Sequence, residues 1–188
     1  TDLLFRNTLI SWMILGFGNL MTVPLRVEFL GNPEHGLALS PSEVALYVGV
    51  IPSAARLLLS PIWGIIFDRF NFSLTRVCIN LSFALGIFSF FIPGSSWALV
   101  LGSIAYGVGN AGGDVAWQLW VTKLAPHNRV SDYMAVHVFF TGLRGIIAPF
   151  LGFYLMHYFS VSFCAWLAVG LILIASALFL RERSNFAG

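Results

Sequence analysis

The 188-residue sequence predicts an all-α integral membrane protein, a single bundle of six transmembrane helices built as a 3+3 inverted repeat. Three observations carry this reading. The chain is 58% hydrophobic and 10% charged, with mean hydropathy +0.85, whereas soluble domains carry about 25% charged residues. No acidic or basic side chain occurs in the 37 positions between Arg76 and Asp114, nor in the 36 between Arg144 and Arg181. At about 20 apolar residues per span, each gap holds most of two helices. Finally, one pattern of charged, proline and glycine positions recurs at an offset of 88 residues.

The first helix covers about Asn7–Leu30 and is closed by Gly31-Asn32-Pro33. Ser40-Pro41-Ser42-Glu43 opens the second, about Ser42–Phe67: Ser40 or Ser42 caps it, Pro41 fits the first turn, and Glu43 complements the helix dipole. The loop Asp68–Thr75 leads to the third, about Arg76–Ile92, and Pro93-Gly94-Ser95-Ser96 turns the chain into the fourth, about Trp97–Lys123. Ala125-Pro126 breaks the chain before the fifth, about Ser131–Tyr158; the sixth, about Ser160–Leu180, ends at Arg181-Glu182-Arg183. Barrel strands alternate over about ten residues, and these runs do not.

Six spans bring both ends to one side. Arg6, Arg69, Arg76, Lys123, Arg129, Arg181 and Arg183 then share a face, while the loops near 31–42, 93–96 and 157–160 hold no Lys or Arg. The positive-inside rule places both termini in the cytoplasm of a multi-pass protein of the plasma (inner) membrane. A net charge of +2 on ten Lys+Arg leaves no footprint for nucleic acid. Cys78 and Cys164 lie far apart in apolar runs and read as small buried hydrophobes.

Arg26, Arg56, Asp114 and Arg144 remain within the spans. A central arginine costs at least about 2.5–3.5 kcal/mol on insertion scales, so each needs a partner or a wet cavity. Polar residues accompany them. Tyr106, Asn110, Asp114, Gln118 and Thr122 recur every four residues beside a ridge of Ala105, Gly109 and Gly113. Gly49, Ser53, Arg56, Ser60 and Gly64 share a face of the second helix, and His137, Thr141, Arg144 and Ala148 one of the fifth; the first offers Asn19, Thr22 and Arg26. Helices one, two, four and five are expected to look inward, and three and six toward lipid. The 88-residue offset sets Ser53, Arg56, Pro61 and Gly64 over Thr141, Arg144, Pro149 and Gly152, and Thr22 and Arg26 over Asn110 and Asp114. The two units are about 7–92 and 97–180, the second inserted upside down, a plan that many transporters use with sites at the repeat interface.

The segment from Gly64 through Asp68-Arg69-Phe70-Asn71 to Arg76 resembles the G-x-x-x-D-R-x-G-R motif of the major facilitator superfamily, with Gly64, Asp68 and Arg69 matching, Asn71 in place of the glycine, and Arg76 displaced. The Gly/Pro-rich run Gly142–Gly152 is similar to the family's fifth-span motif. The resemblance implies a fold of two six-helix halves, of which this chain is one. Thr1 in place of an initiator Met and the short tail Ser184–Gly188 suit a carboxy-terminal half; a six-span homodimer is the competing expectation. It also implies a conformational latch at Gly64, Asp68, Arg69 and Arg76.

The function expected is a secondary transporter moving a small polar solute by alternating access, or half of one. Asn19, Thr22, Arg26, Asn110, Asp114 and Gln118 are the expected cavity set, with Arg56, His137, Thr141 and Arg144 on the flanking helices. Asp114, the only acid deep in a span, is the candidate proton or cation carrier. Three arginines against one aspartate leave the interior at +2, which an anionic solute or acidic partners on the other half would relieve. A non-transporting scaffold or assembly factor of the same fold is the alternative. No enzyme, metal or cofactor is expected: His35, His127, His137 and His157 lack ligand spacing, and H-E-x-x-H, G-x-S-x-G and G-x-x-x-x-G-K-[ST] are all missing from the sequence. The expected partners are the bilayer, a second six-helix half and the solute.

Overall fold

A computed structural model describes residues 2–34 and 36–182. Arg183, His35, Thr1 and the tail Ser184–Gly188, all used in the sequence reading, lie outside the described residues. The described chain forms six long helices: α1 (Leu3–Gly31), α2 (Pro41–Arg69), α3 (Phe72–Phe90), α4 (Ser96–Leu119), α5 (Val130–Tyr158) and α6 (Val161–Arg181). A 3₁₀ turn, Trp120–Lys123, continues α4, and another, His127–Arg129, precedes α5; α2 contains one π-helical turn at Leu46–Val50. Five of the six are long and apolar enough to cross a membrane. The exception is α4, which carries Asn110, Asp114 and Gln118.

Caps explain the starts. Asp2 accepts from Phe5 N at 3.0 Å, Ser95 from Ala98 N at 3.3 Å, and Ser160 from Phe163 N at 3.2 Å. Ser40, rather than Ser42, caps α2 in a reciprocal box with Glu43, with Pro41 in the first turn. Asn71 caps α3 by accepting from Ser73 N at 2.9 Å, so α3 begins at Phe72 and not at Arg76. Gly94, at φ +73°, makes the turn into α4.

The helices pack in the order α2, α4, α3, α6, α1, α5, each against the next. Asn7 on α1 donates to Glu182 after α6 at 3.1 Å, so both described ends share one face of the bundle. The core lies between α1, α3, α4 and α6 and includes Leu25, Leu30, Ile79, Ile87, Phe90, Cys164, Ile172 and Phe179. This corrects the expected division of helices. Two-thirds of the apolar window of α3 is buried (67%), against 17% for α2 and for α5, so α3 is interior while α2 and α5 stand at the ends of the row. Only Cys78, Leu81, Leu85 and Phe88 form an outward stripe on α3.

Close approach depends on glycines. A Cβ at Gly102 of α4 would stand 2.6 Å from Phe90 N of α3, and one at Gly18 of α1 would stand 2.7 Å from the Ala168 carbonyl of α6. The expected ridge contributes at Gly109, which seats the Phe83 ring. Gly102→Ala is therefore expected to lower stability by about 1–3 kcal/mol, because the obstructing atoms are backbone. Gly170→Ala, which would meet nothing within 4 Å, should be neutral or stabilising. Thermal unfolding in detergent checks the pair; equal effects would refute this packing.

Candidate functional site

Between α1, α3, α4 and α5 lies a polar cavity of about 290 Å³. Its wall is Trp12, Leu15, Gly16, Asn19 and Leu20 of α1, Arg76 and Phe83 of α3, Asn110, Gly113, Asp114 and Trp117 of α4, and Arg144 of α5. Of the residues expected there, Asn19, Asn110, Asp114 and Arg144 are brought together. Arg56, from α2, stands beside the wall: its Nε donates to Asp114 Oδ2 at 2.5 Å, and both side chains are about half exposed, 53% and 48%.

Arg144 reaches from α5 across to α1. Its Nη1 donates to the Trp12 carbonyl at 2.8 Å, and its guanidinium occupies the space that a side chain at position 16 would fill. Gly16 is thus what lets the guanidinium dock. Arg76 lies with its Cζ 4.0 Å from the centroid of the Trp12 ring, a cation–π contact. Its Nε and Nη1 find no hydrogen-bond partner among the described residues. One tryptophan therefore holds two arginines, one on its ring and one on its carbonyl.

The structure moves several residues away from their expected places. Arg76 leaves the latch: with α3 capped at Asn71 it sits on the second turn, 3% exposed, and faces the cavity. Asp68 and Arg69 end α2 and are exposed, and Gly64 lies one turn earlier. Lys123 stands beside that segment and donates to the Phe67 carbonyl at 3.2 Å, a contact that its place in the basic loop did not announce.

Arg26 is not in the cavity. It is 2% exposed, with its Cζ 3.1 Å from the centroid of the Tyr106 ring and 5.1 Å from that of Phe90. Thr22 is buried and donates to the Asn19 carbonyl at 2.9 Å, a bond within α1. Gln118 is exposed outside the cavity wall. Steps of four residues on a 3.6-residue helix drift by about 40° each, so the stripe that begins at buried Tyr106 faces the cavity at Asn110 and Asp114 and has left it by Gln118. Thr141 does not reach the wall. His137 is wholly buried behind it, boxed by Trp117 at 4.2 Å, Trp120 at 5.0 Å and Trp12 at 5.3 Å between ring centroids. The sequence reading did not include Trp12, Gly16 or Trp117 in the site; for Arg76 the available signal was the Asn71 cap, which starts α3 at Phe72 and sets Arg76 on its second turn.

A bundle of long apolar helices enclosing arginines, asparagines and an aspartate around a cavity defines an integral membrane protein with a polar interior. The family model for the Major Facilitator Superfamily matches residues 7–186, and the chain belongs to that family. Membership carries a transporter kind of function. Comparison with curated proteins gave no match.

Among the described residues Arg26 has no partner acid; it gains from the two rings, but its Nε and Nη2 find no hydrogen-bond partner there. Replacing a buried ion pair by apolar side chains of similar volume is often neutral or stabilising, by about 1–4 kcal/mol, and Arg26 lacks even the partner acid among the described residues. Arg26→Met is expected to leave thermal stability unchanged or raised. A marked fall, measured by unfolding in detergent, would contradict a packing role confined to Tyr106 and Phe90.

Proposed function

We propose that this chain is one six-helix half of a secondary active transporter that moves a small polar solute by alternating access. The cavity carries this reading. It is polar, placed midway along α1 and α5, and walled by helices that approach one another through glycines. In this reading α1 and α4 line the path, joined by α3, while the exposed faces of α2 and α5 form the moving seam against a second half. That half is either the remainder of a twelve-helix protein or a second copy of the chain. The order of packing supports an inverted repeat: exchanging α1 with α4, α2 with α5 and α3 with α6 turns the row α2, α4, α3, α6, α1, α5 into its own reverse. The basic residues Arg6, Arg69, Lys123, Arg129 and Arg181 support a cytoplasmic face at the two termini, in the plasma (inner) membrane. Asp68 and Arg69, with Gly64, serve as the latch; Arg76 does not.

Asp114 is the coupling residue in this scheme. Paired with Arg56, it joins α4 to the end helix α2. A proton on the carboxylate weakens that pair and frees α2 to move. Asp114→Asn is expected to abolish proton dependence of uptake in proteoliposomes while leaving exchange down a gradient. Uptake that keeps its full proton dependence would remove Asp114 from the role.

Water access separates this reading from a dry scaffold. In a Cys78→Ser background, which removes the exposed native thiol, Asn110→Cys in the intact protein is expected to react with a membrane-impermeant maleimide. Failure to label from either side would end the transport reading.

A further inference from the structure

We infer that Arg76 and Arg144 together form the binding site for a small dianion, an oxyanion group or pair of groups carrying two negative charges, as in a dicarboxylate or phosphate. The inference rests on the transport reading and names the substrate class of the same cavity.

Charge comes first. The cavity wall carries two guanidinium groups and one carboxylate. That carboxylate is engaged by Arg56 from beside the wall, leaving the Arg56–Asp114 pair neutral. Neither Arg76 nor Arg144 forms an ion pair among the described residues. Two positive charges therefore face one space in a low-dielectric interior, where like charges repel strongly. A bound dianion neutralises both charges; a monoanion leaves one of them uncompensated, and a neutral solute leaves both.

Geometry comes second. The two guanidiniums are fixed before any ligand arrives, because each is held by a different part of Trp12: the ring for Arg76, the carbonyl for Arg144. Among the described residues Nε and Nη1 of Arg76 and Nε of Arg144 find no acceptor but are closed off from the cavity space, and Nη1 of Arg144 is held by Trp12, so Nη2 of each fork is the nitrogen left to meet a ligand. A buried donor left unpaired costs about 1–3 kcal/mol, and the planar guanidinium fork matches the paired oxygens of carboxylate and phosphate. The amides of Asn19 and Asn110 complete the wall with neutral hydrogen-bonding groups. At about 290 Å³ the space suits a small solute, since pockets for drug-sized ligands begin at about 300 Å³.

The test is thermal unfolding of the intact protein in neutral detergent at constant ionic strength. The probes are succinate, sulfate and inorganic phosphate, with chloride and succinamide as controls. At least one dianion is expected to raise Tm by about 4 °C near saturation, and neither control should do so. Arg144→Gln and Arg76→Gln should each abolish the shift. Should either fail to fold, the contrast between succinate and succinamide on the wild-type protein still decides. Equal shifts from chloride, or no shift from any dianion, would overturn the inference. Stabilisation by phosphatidylglycerol micelles without any response to soluble dianions would reassign the arginines to a lipid headgroup and overturn it as well. Maleimide labelling of Asn110→Cys separates the two readings: labelling without dianion binding sinks this inference alone, whereas no labelling sinks the transport reading with it.

Discussion

A guanidinium inside a membrane-spanning bundle must be answered by something other than water, and the sequence supplies one aspartate there against four arginines. Because the acid cannot serve them all, the remaining arginines set how the helices meet. Arg56 takes Asp114. Arg144 takes a main-chain carbonyl, at Trp12. Arg76 and Arg26 lie over aromatic rings, those of Trp12 and of Tyr106 with Phe90. Each answer ties helices together: α2 to α4, α5 to α1, α3 to α1, and, for Arg26, α1 to both α3 and α4.

These answers need close helices, which is where the small residues enter. Trp12 can receive Arg144 because Gly16, one turn along, leaves room for the guanidinium. Tyr106 can lie against α3 because Gly86 offers no side chain at the crossing, where a Cβ would stand 2.8 Å from Tyr106 N. A separate aromatic group, Trp12, Trp117 and Trp120, encloses His137. The aromatic residues therefore act as the acceptors that the interior lacks as carboxylates, and the glycines bring them within reach.

Much of this was legible in the sequence. Apolar runs and breakers located all six helices, and the scarce charges led to Asn19, Asn110, Asp114 and Arg144 in one cavity. Three features were not legible, each for a physical reason. A main-chain acceptor such as the Trp12 carbonyl has no residue-type signature. A stripe at four-residue spacing rotates around its helix, so Gln118 could not be kept with Asn110. An aromatic ring satisfies a cation without advertising itself as polar, which is why Arg26 read as a cavity residue. Arg76 differs from these: Asn71 is a strong capping residue that starts α3 at Phe72 and sets Arg76 within the helix, while the face it presents is decided by packing.

The site also lies where the 88-residue sequence pattern changes the sign of a charge. At an offset of 88 residues Arg56 corresponds to Arg144, and Asp114 to Arg26. On one side the arginine meets its acid and the pair closes. On the other, the equivalent position carries a like charge, so Arg144 cannot pair there and instead reaches the Trp12 carbonyl, while Arg26 turns away onto Tyr106. A symmetric bundle would have neutralised both crossings and left no charge to face the cavity. The change of one charge sign at one pair of positions 88 residues apart leaves Arg144 without an acid beside Arg76, and in the proposed reading that residual positive charge sets the preference of the cavity among solutes.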